Sequence, residues 1–215
     1  MPICMKKITT GFFVVLIFIC SGEMGFAQDR HAVRWVIDGD TLVLEDGRNV
    51  RYIGINAPEI AHKDEKAEPF GNFAFRINKK LVQGKKIRLE TDYEMHDRYG
   101  RQLAYVFLED GTFVNESLVR KGAAYCLPIN PNHKYDDILL RAQHRAMDHA
   151  RGIWQNWQKK PERLLGNKNS RKFHRLACPF GKKIKNRNRV YFSNRWEAFK
   201  AGFAPGKKCI KQFRD

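Results

Sequence analysis

Two closely spaced Asp-Gly pairs, Asp38-Gly39 and Asp46-Gly47, constrain this chain more than any other feature. An Asp-Gly pair between alternating apolar and polar segments signals a hairpin, because hairpin turns need residues that tolerate positive φ. Residues 31–37 read as a first strand, residues 41–45 as a second and residues 49–55 as a third. Pro58 breaks that pattern, and a charged loop follows from His62 to Glu68. Three consecutive strands joined by tight turns pair antiparallel and favour a sheet that curls on itself.

The rest of the first 158 residues completes the pattern. Phe70, Phe73, Ala74, Ile77 and Leu81 recur at helical spacing, which predicts a helix over 69–82 ended by Gly84. Residues 87–93 and 103–108 read as two more strands, with the turn Asp97-Arg98-Tyr99-Gly100-Arg101 between them. A short helix is expected at 114–119, a Pro/Asn loop at 128–132 and a longer helix from about Tyr135 to Ala150. Five strands, with helices after the third and the fifth, is the order of a small barrel of the OB type. His144 and His149, five apart on the last helix, read as surface residues.

The chain opens on a targeting pattern. Lys6 and Lys7 precede an apolar run from Ile8 to Cys20, and Gly25-Phe26-Ala27 supplies small residues for cleavage after Ala27. The run is shorter than the roughly 20 residues a bilayer span needs. An exported protein, secreted or periplasmic, is expected; without cleavage the same segment becomes a membrane anchor.

Charge divides the chain. The whole carries +17 over 215 residues, yet residues 159–215 alone hold 18 basic and 3 acidic side chains. Gln158-Lys159-Lys160-Pro161 marks the boundary between the two parts. A block so basic suits polyanions, nucleic acid foremost and an anionic surface second. Cys126, Cys178 and Cys209 remain after the opening segment. That odd number leaves at least one thiol over and excludes a disulfide framework for the main domain.

The chemistry-bearing residues cluster in short pieces of the barrel. Asp40 follows the first turn; Asn56-Ala57-Pro58-Glu59 follows the third strand. A hard cation such as Ca²⁺ takes carboxylate, amide and backbone oxygens, and Asp40, Asn56 and the Ala57 carbonyl offer one of each. Glu59 is the candidate general base for a water. Arg51 and Arg101 are the candidate stabilisers of a phosphorane, since guanidinium forks match phosphate oxygens in a way lysine does not. The set suits metal-assisted cleavage of a phosphodiester.

Residues 31–154 resemble the staphylococcal (micrococcal) nuclease family. The matching stretches are Val36-Ile-Asp-Gly-Asp-Thr-Leu42, Val50-Arg-Tyr-Ile-Gly-Ile-Asn-Ala-Pro-Glu59, Asp97-Arg-Tyr-Gly-Arg-Gln-Leu-Ala-Tyr-Val106, Val114-Asn-Glu-Ser-Leu-Val-Arg-Lys-Gly122 and Gly152-Ile-Trp154. The resemblance implies an OB-fold and a Ca²⁺-dependent enzyme cleaving DNA and RNA to leave 3′-phosphates. It also implies Asp40 as a calcium ligand, Glu59 as general base, Arg51 and Arg101 as phosphate grips and Tyr99 as a substrate contact. Arg98 stands where the type enzyme has a lysine. Asn56 stands where it has a second calcium-binding aspartate, which removes one negative charge and implies weaker metal affinity.

Residues 174–209 resemble the small zinc-binding module of the Ada DNA-repair protein. Its four cysteine positions are occupied here by His174, Cys178, Gly206 and Cys209. Glycine cannot ligate, so three outcomes stand side by side: a three-ligand Zn²⁺ site, a Cys178–Cys209 disulfide, or a module that folds without metal.

The expected architecture is thus a β-barrel with helices (α+β), in three parts. A signal segment (1–27) precedes an OB-fold catalytic domain (28–158) and a small basic α+β module (159–215). The expected activity is that of an exported, monomeric, calcium-dependent nuclease whose tail holds nucleic acid without being needed to cleave short substrates. The alternatives are a nucleic-acid-binding protein weakened in catalysis by Asn56, and a cationic surface-binding protein.

Overall fold

The computed structural model describes Met1 and residues 29–61, 66–207, 209 and 210. The expected signal segment with its cleavage after Ala27 lies outside the described residues. Among them, no helix is long and apolar enough to cross a membrane.

A closed five-stranded barrel forms the larger part. Strands β1 (Arg30–Val36), β2 (Thr41–Leu44) and β3 (Asn49–Tyr52) follow one another through the two Asp-Gly turns. The third strand expected over 49–55 stops at Tyr52. Gly54 takes φ 77°, and the chain resumes as the two-residue strand β4 (Ile55–Asn56), which leaves the barrel. Helix α1 (Gly71–Val82), β5 (Lys86–Glu90), β6 (Gln102–Leu108), α2 (Val114–Arg120), β7 (Tyr125–Cys126) and α3 (Asp136–Asp148) complete this part. The barrel order is β1-β2-β3-β6-β5, with β3 and β6 parallel and β1 closing onto β5. β4 pairs antiparallel with β7, so Asn56 faces Tyr125.

The break after Tyr52 is held by a buried side chain. Asn115 donates to the Ile53 carbonyl (2.9 Å) and accepts from the Val106 amide (3.0 Å). Without it, two backbone groups in the core would go unsatisfied at a cost of about 1–3 kcal/mol each. The apolar interior is Leu42, Val50, Tyr52, Ile87, Ala104 and Val106, capped by Ala74 and Val82 of α1 and Leu118 of α2. Each fully buried aliphatic side chain of this kind contributes roughly 1.5–3 kcal/mol.

The basic C-terminal part is an α+β unit, as expected. Strands β8 (Leu164–Asn167), β9 (Lys172–Arg175), β10 (Arg189–Phe192) and β11 (Ala204–Pro205) form a sheet in the order β10-β8-β9-β11. Helices α4 (Pro179–Lys182) and α5 (Arg195–Lys200) lie in its connections. Its core does not stop at residue 158. One buried cluster joins Tyr125, Ala146, Met147, Ile153 and Trp154 of the first part to Leu164, Phe173, Phe199, Phe203 and Ile210 of the second. Gln143, fully buried, ties the two backbones by accepting from Cys126 N and donating to Phe199 O, both at 2.7 Å. His144 is not a plain surface residue: its Nε2 lies 2.7 Å from Lys200 O across the same seam. His149 is exposed, with Nδ1 2.8 Å from Arg145 O.

Candidate active site

The β2–β3 register pairs Thr41 with Arg51, and Tyr52 N donates to Asp40 O at 3.0 Å. That places the Asp40 carboxylate beside the Arg51 guanidinium at the end of the barrel. Arg51 Nη2 lies 3.1 Å from Asp40 Oδ2, and the two side chains are only 12% and 8% exposed. Arg51 also donates to Tyr52 O (2.9 Å), Ile55 O (3.0 Å) and Asn56 Oδ1 (3.2 Å). Asp40 Oδ2 in turn accepts from Ala57 N at 2.6 Å. The hairpin turn can approach so closely because residue 39 is glycine. A Cβ there would stand 2.4 Å from Ala57 Cβ and 2.7 Å from Ala74 Cβ.

Asn56 and Ala57 sit in the same buried knot. Asn56 Nδ2 donates to Ala57 O and to the Tyr125 hydroxyl, each at 3.0 Å. Around Tyr125 the charges of Glu68, Asp40, Arg51 and Glu59 are all felt, and burial with the nearby carboxylates drives its phenol well above the usual range. Of these, Asp40 and Arg51 are in direct contact, while Glu59 and Glu68 act on Tyr125 through their charge.

Burial pushes the Asp40 carboxyl up to about 6; Arg51 opposes that rise and the neighbouring Asp38 carboxylate adds to it. The rise is a cost of burial that the single arginine only partly offsets, and a bound cation would offset more of it. The oxygens gathered here are the Asp40 and Asp38 carboxylates, the Asn56 amide oxygen, which shares Arg51 with Asp40, and the Ala57 carbonyl, which accepts from Asn56. Such a set suits a hard divalent cation and not a thiophilic one.

Glu59 lies on the rim, half exposed. Its backbone is fixed: Glu59 N donates to Glu68 Oε2 (3.0 Å) and Glu68 N donates to Glu59 O (2.9 Å). The first residue of α1 presses on the same carbonyl, and a Cβ on Gly71 would stand 2.1 Å from Glu59 O. The Glu59 carboxylate faces outward, with Lys207 Nζ 3.2 Å from Oε1.

The 97–101 turn is a second exposed rim element. Arg101 forks onto Asp97 Oδ2 through Nε (2.8 Å) and Nη2 (2.7 Å). Burial raises the Asp97 carboxyl, but its hydrogen bonds to Arg101 and the turn amides prevail and hold it below the usual range. Tyr99 is 69% exposed; Arg98 lies over its ring at 4.8 Å and Arg101 at 5.6 Å. The β3–β6 register pairs Arg51 with Leu103, so Arg101 sits two residues before the partner of Arg51. It is not hydrogen-bonded to the Asp40–Arg51 knot in this arrangement.

In the C-terminal part, His174, Cys178 and Cys209 do converge, with Cys178 Sγ 3.5 Å from His174 Nδ1. Cys178 and Cys209 form a disulfide, with Cα atoms 5.9 Å apart. Both thiols are thereby consumed, which argues against the zinc alternative. The fourth position, Gly206, is filled by contact, since a Cβ there would stand 2.4 Å from His174 Cε1. Cys126 is the free thiol left over, buried in the barrel core.

Sequence reasoning missed several residues of this region. Asn78 lies on the buried face of α1, donating to Asp38 O and accepting from Tyr52 OH, both at 2.9 Å. An asparagine within an otherwise apolar helical stripe was the available signal. Tyr125 and Glu68 gave no local signal, because their role depends on the β4–β7 pairing and on the bonds between Glu59 and Glu68. Lys207 is remote in sequence from everything it touches.

The comparisons agree with this geometry. Residues 49–156 match the family model described as "Staphylococcal nuclease homologue". The chain is 35% identical over 170 residues to "Thermonuclease" of Staphylococcus hyicus, covering 71% of this chain and 100% of that protein. It is 38% identical over 168 residues to "Thermonuclease" of Staphylococcus intermedius, covering 70% and 99%. An "Uncharacterized endonuclease" of Escherichia coli O157:H7 is 33% identical over 146 residues, covering 66% and 88%. With a barrel of the expected strand order and a similarity that runs the length of both thermonucleases, the chain belongs to the staphylococcal nuclease family.

Proposed function

We propose that this protein is an exported, calcium-dependent nuclease that hydrolyses phosphodiester bonds of DNA and RNA and leaves 3′-phosphates. The observation that carries the reading is the buried Asp40–Arg51 pair at the end of the barrel, with Asn56 and Ala57 bonded to it. The family and the printed names of its relatives support it.

Asp40, the Asn56 amide oxygen and the Ala57 carbonyl are the residues to hold Ca²⁺, which when bound supplies Lewis-acid withdrawal of charge from the phosphate. Glu59 is the base: on the open rim with its backbone fixed, it takes a proton from the attacking water. As the water oxygen adds to phosphorus, negative charge grows on the equatorial oxygens and the bond to the 5′-oxygen breaks, that oxygen taking a proton from solvent at the open rim and leaving as a hydroxyl. Arg51 meets that charge from a fixed position. Four oxygens of the barrel end hold it, those of Asp40, Tyr52, Ile55 and Asn56, while Nε carries no bond among the described residues. A guanidinium already oriented loses little freedom in the transition state. Arg101 approaches from the exposed turn, with Asp97 orienting it, and Arg98 and Tyr99 contact the substrate beyond the scissile bond.

The C-terminal part adds polyanion affinity. A cleft of about 560 Å³ between Pro69 and the 157–162 segment is lined by Lys159, Lys160, Arg175 and Arg195 beside Trp157, with Glu162 the one acid. Cations beside an aromatic ring suit a single strand, which offers phosphates and stackable bases. The Cys178–Cys209 disulfide supports export, because such bonds persist in oxidising compartments.

One observation favours the alternative of binding without turnover: the Asn56 amide oxygen, a carboxylate in the type enzyme, is already taken by Arg51. Calcium titration separates the two. Saturable, calcium-dependent cleavage supports the nuclease; binding of nucleic acid with no cleavage at any calcium concentration supports the alternative.

A further inference from the structure

Lys207 of the C-terminal part touches a candidate catalytic side chain, the Glu59 carboxylate, and its position is built. β11 lies parallel beside β9, and Gly206 N donates to Phe173 O at 2.9 Å. Cys209 N and Ile210 N both return to Gly206 O, at 2.8 and 3.1 Å. Cys209 is bonded to Cys178, and Ile210 is buried in the core shared by the two parts. The turn that carries Lys207 is thus fixed on both sides. The same core receives Phe70, whose neighbour Gly71 presses on the Glu59 carbonyl. The C-terminal part thus meets the Glu59 segment directly at its carboxylate, through Lys207, and shares with it the core on which Phe70 packs.

The Lys207–Glu59 pair is exposed, at 62% and 46% for the two side chains, and solvent screens most of its attraction. It does little for stability and exchanges readily. A base acts within hydrogen-bond reach of the water it deprotonates, and that water is in contact with phosphorus. A cation 3.2 Å from the base is therefore also within side-chain reach of the oxygens of a phosphate seated there. With substrate bound, those oxygens offer Lys207 a second anionic partner and leave Glu59 free to take its proton.

We infer that Lys207 is a substrate-phosphate ligand of the active site, so that the C-terminal part contributes to the catalytic centre as well as to general affinity. This rests on the nuclease reading above and assigns Lys207 a contact with the phosphodiester next to Glu59.

The test uses the full chain with Lys207→Ala, Lys207→Glu and Lys207→Arg, and a single-stranded DNA oligonucleotide as probe. Cleavage is measured with calcium over a range of salt, and binding is measured separately in chelator. Lys207→Ala is expected to raise KM several-fold with little change in kcat. It should flatten the slope of log affinity against log salt by about 0.7, the share of one phosphate contact on a single strand. Lys207→Arg is expected to restore the slope and Lys207→Glu to weaken binding further. An unchanged slope and KM in Lys207→Ala overturns the inference and leaves a surface ion pair. A rise in kcat/KM also overturns it, because Lys207 would then be shielding the base. If the wild type binds but does not cleave, the nuclease reading fails while the binding slope still reports on Lys207. If it cleaves and the slope does not move, only the Lys207 inference fails.

Discussion

The two halves of the site are held in opposite ways. Asp40, Arg51 and Asn56 are buried at the barrel end, and every one of them bonds to backbone or to one another. Glu59, Tyr99, Arg98 and Lys207 stand on the rim, in exposed pairs that substrate can replace. A buried arginine–carboxylate pair is fixed before substrate arrives and is costly to break; a rim pair is cheap to exchange. The buried half suits binding a metal and meeting charge in the transition state. The rim suits proton transfer and capture of a strand. The rim is in turn carried by the second core, through Phe70 and Gly71 beneath Glu59 and through the turn that bears Lys207.

The largest effect is expected at the buried half. Arg51→Lys keeps the charge but cannot reproduce the fork that spans Asp40, two carbonyls and the Asn56 amide. It should lower kcat by roughly 10²–10³-fold, the loss typical of one preorganised donor. Steady-state kinetics would show it, and a loss below tenfold would mean that Arg51 is a structural pair only. Next comes the support of the rim. Phe199→Ala empties the centre of the shared core and should cost about 3–5 kcal/mol in urea unfolding. A single transition shifted as a whole is expected; if only a C-terminal transition moved, the two parts would be separate domains.

The charge state of Asp40 provides a third comparison. Its folded-state value near 6 lies above the ordinary value of 3.8, so the folded protein binds the proton more tightly than the unfolded chain. In chelator, stability should therefore fall as pH rises from about 4 to about 6 and then level off. Asp40→Asn lacks this term, so wild type should lose ground to it over that interval alone. Equal pH profiles of the two in thermal melts would show that Asp40 is not held in a charge-poor site.

A smaller effect is expected from Asn56→Asp. The added charge should tighten calcium binding, by about tenfold or less, since ligand charge count tunes such sites. The gain is limited because the Nδ2 donors to Ala57 O and Tyr125 OH are lost. Calcium titration followed by calorimetry measures it, and no tightening would remove Asn56 from the ligand set. The smallest effect belongs to the rim: Asp97→Ala unties Arg101 and should raise KM a few-fold while leaving stability nearly unchanged.

Much of the barrel was legible because its signals are local. Asp-Gly turns, period-two strands and the stripe of α1 each show in a few adjacent residues, and Asp40, Arg51 and Glu59 stand beside those turns and strand ends. What was not legible depends on long-range pairing. The third strand ends early because Gly54 turns and Asn115 satisfies Ile53 from 62 residues away. The boundary at 158 marks a change of charge but not of core, since Trp154 and Phe199 pack in one cluster. Composition reports what a segment exposes; it does not report which apolar faces meet. By the same logic, removal of residues 159–215 is expected to strip cover from Trp154 and Tyr125, and truncation is not a clean test of the tail.

The most direct test is cleavage of single-stranded DNA by the protein, with calcium and with chelator, beside Glu59→Ala. Cleavage that needs calcium and is lost in Glu59→Ala is expected, with nucleic-acid binding retained in both. Cleavage that persists in Glu59→Ala, or nucleic-acid binding by the wild type with no cleavage at saturating calcium, would contradict that expectation.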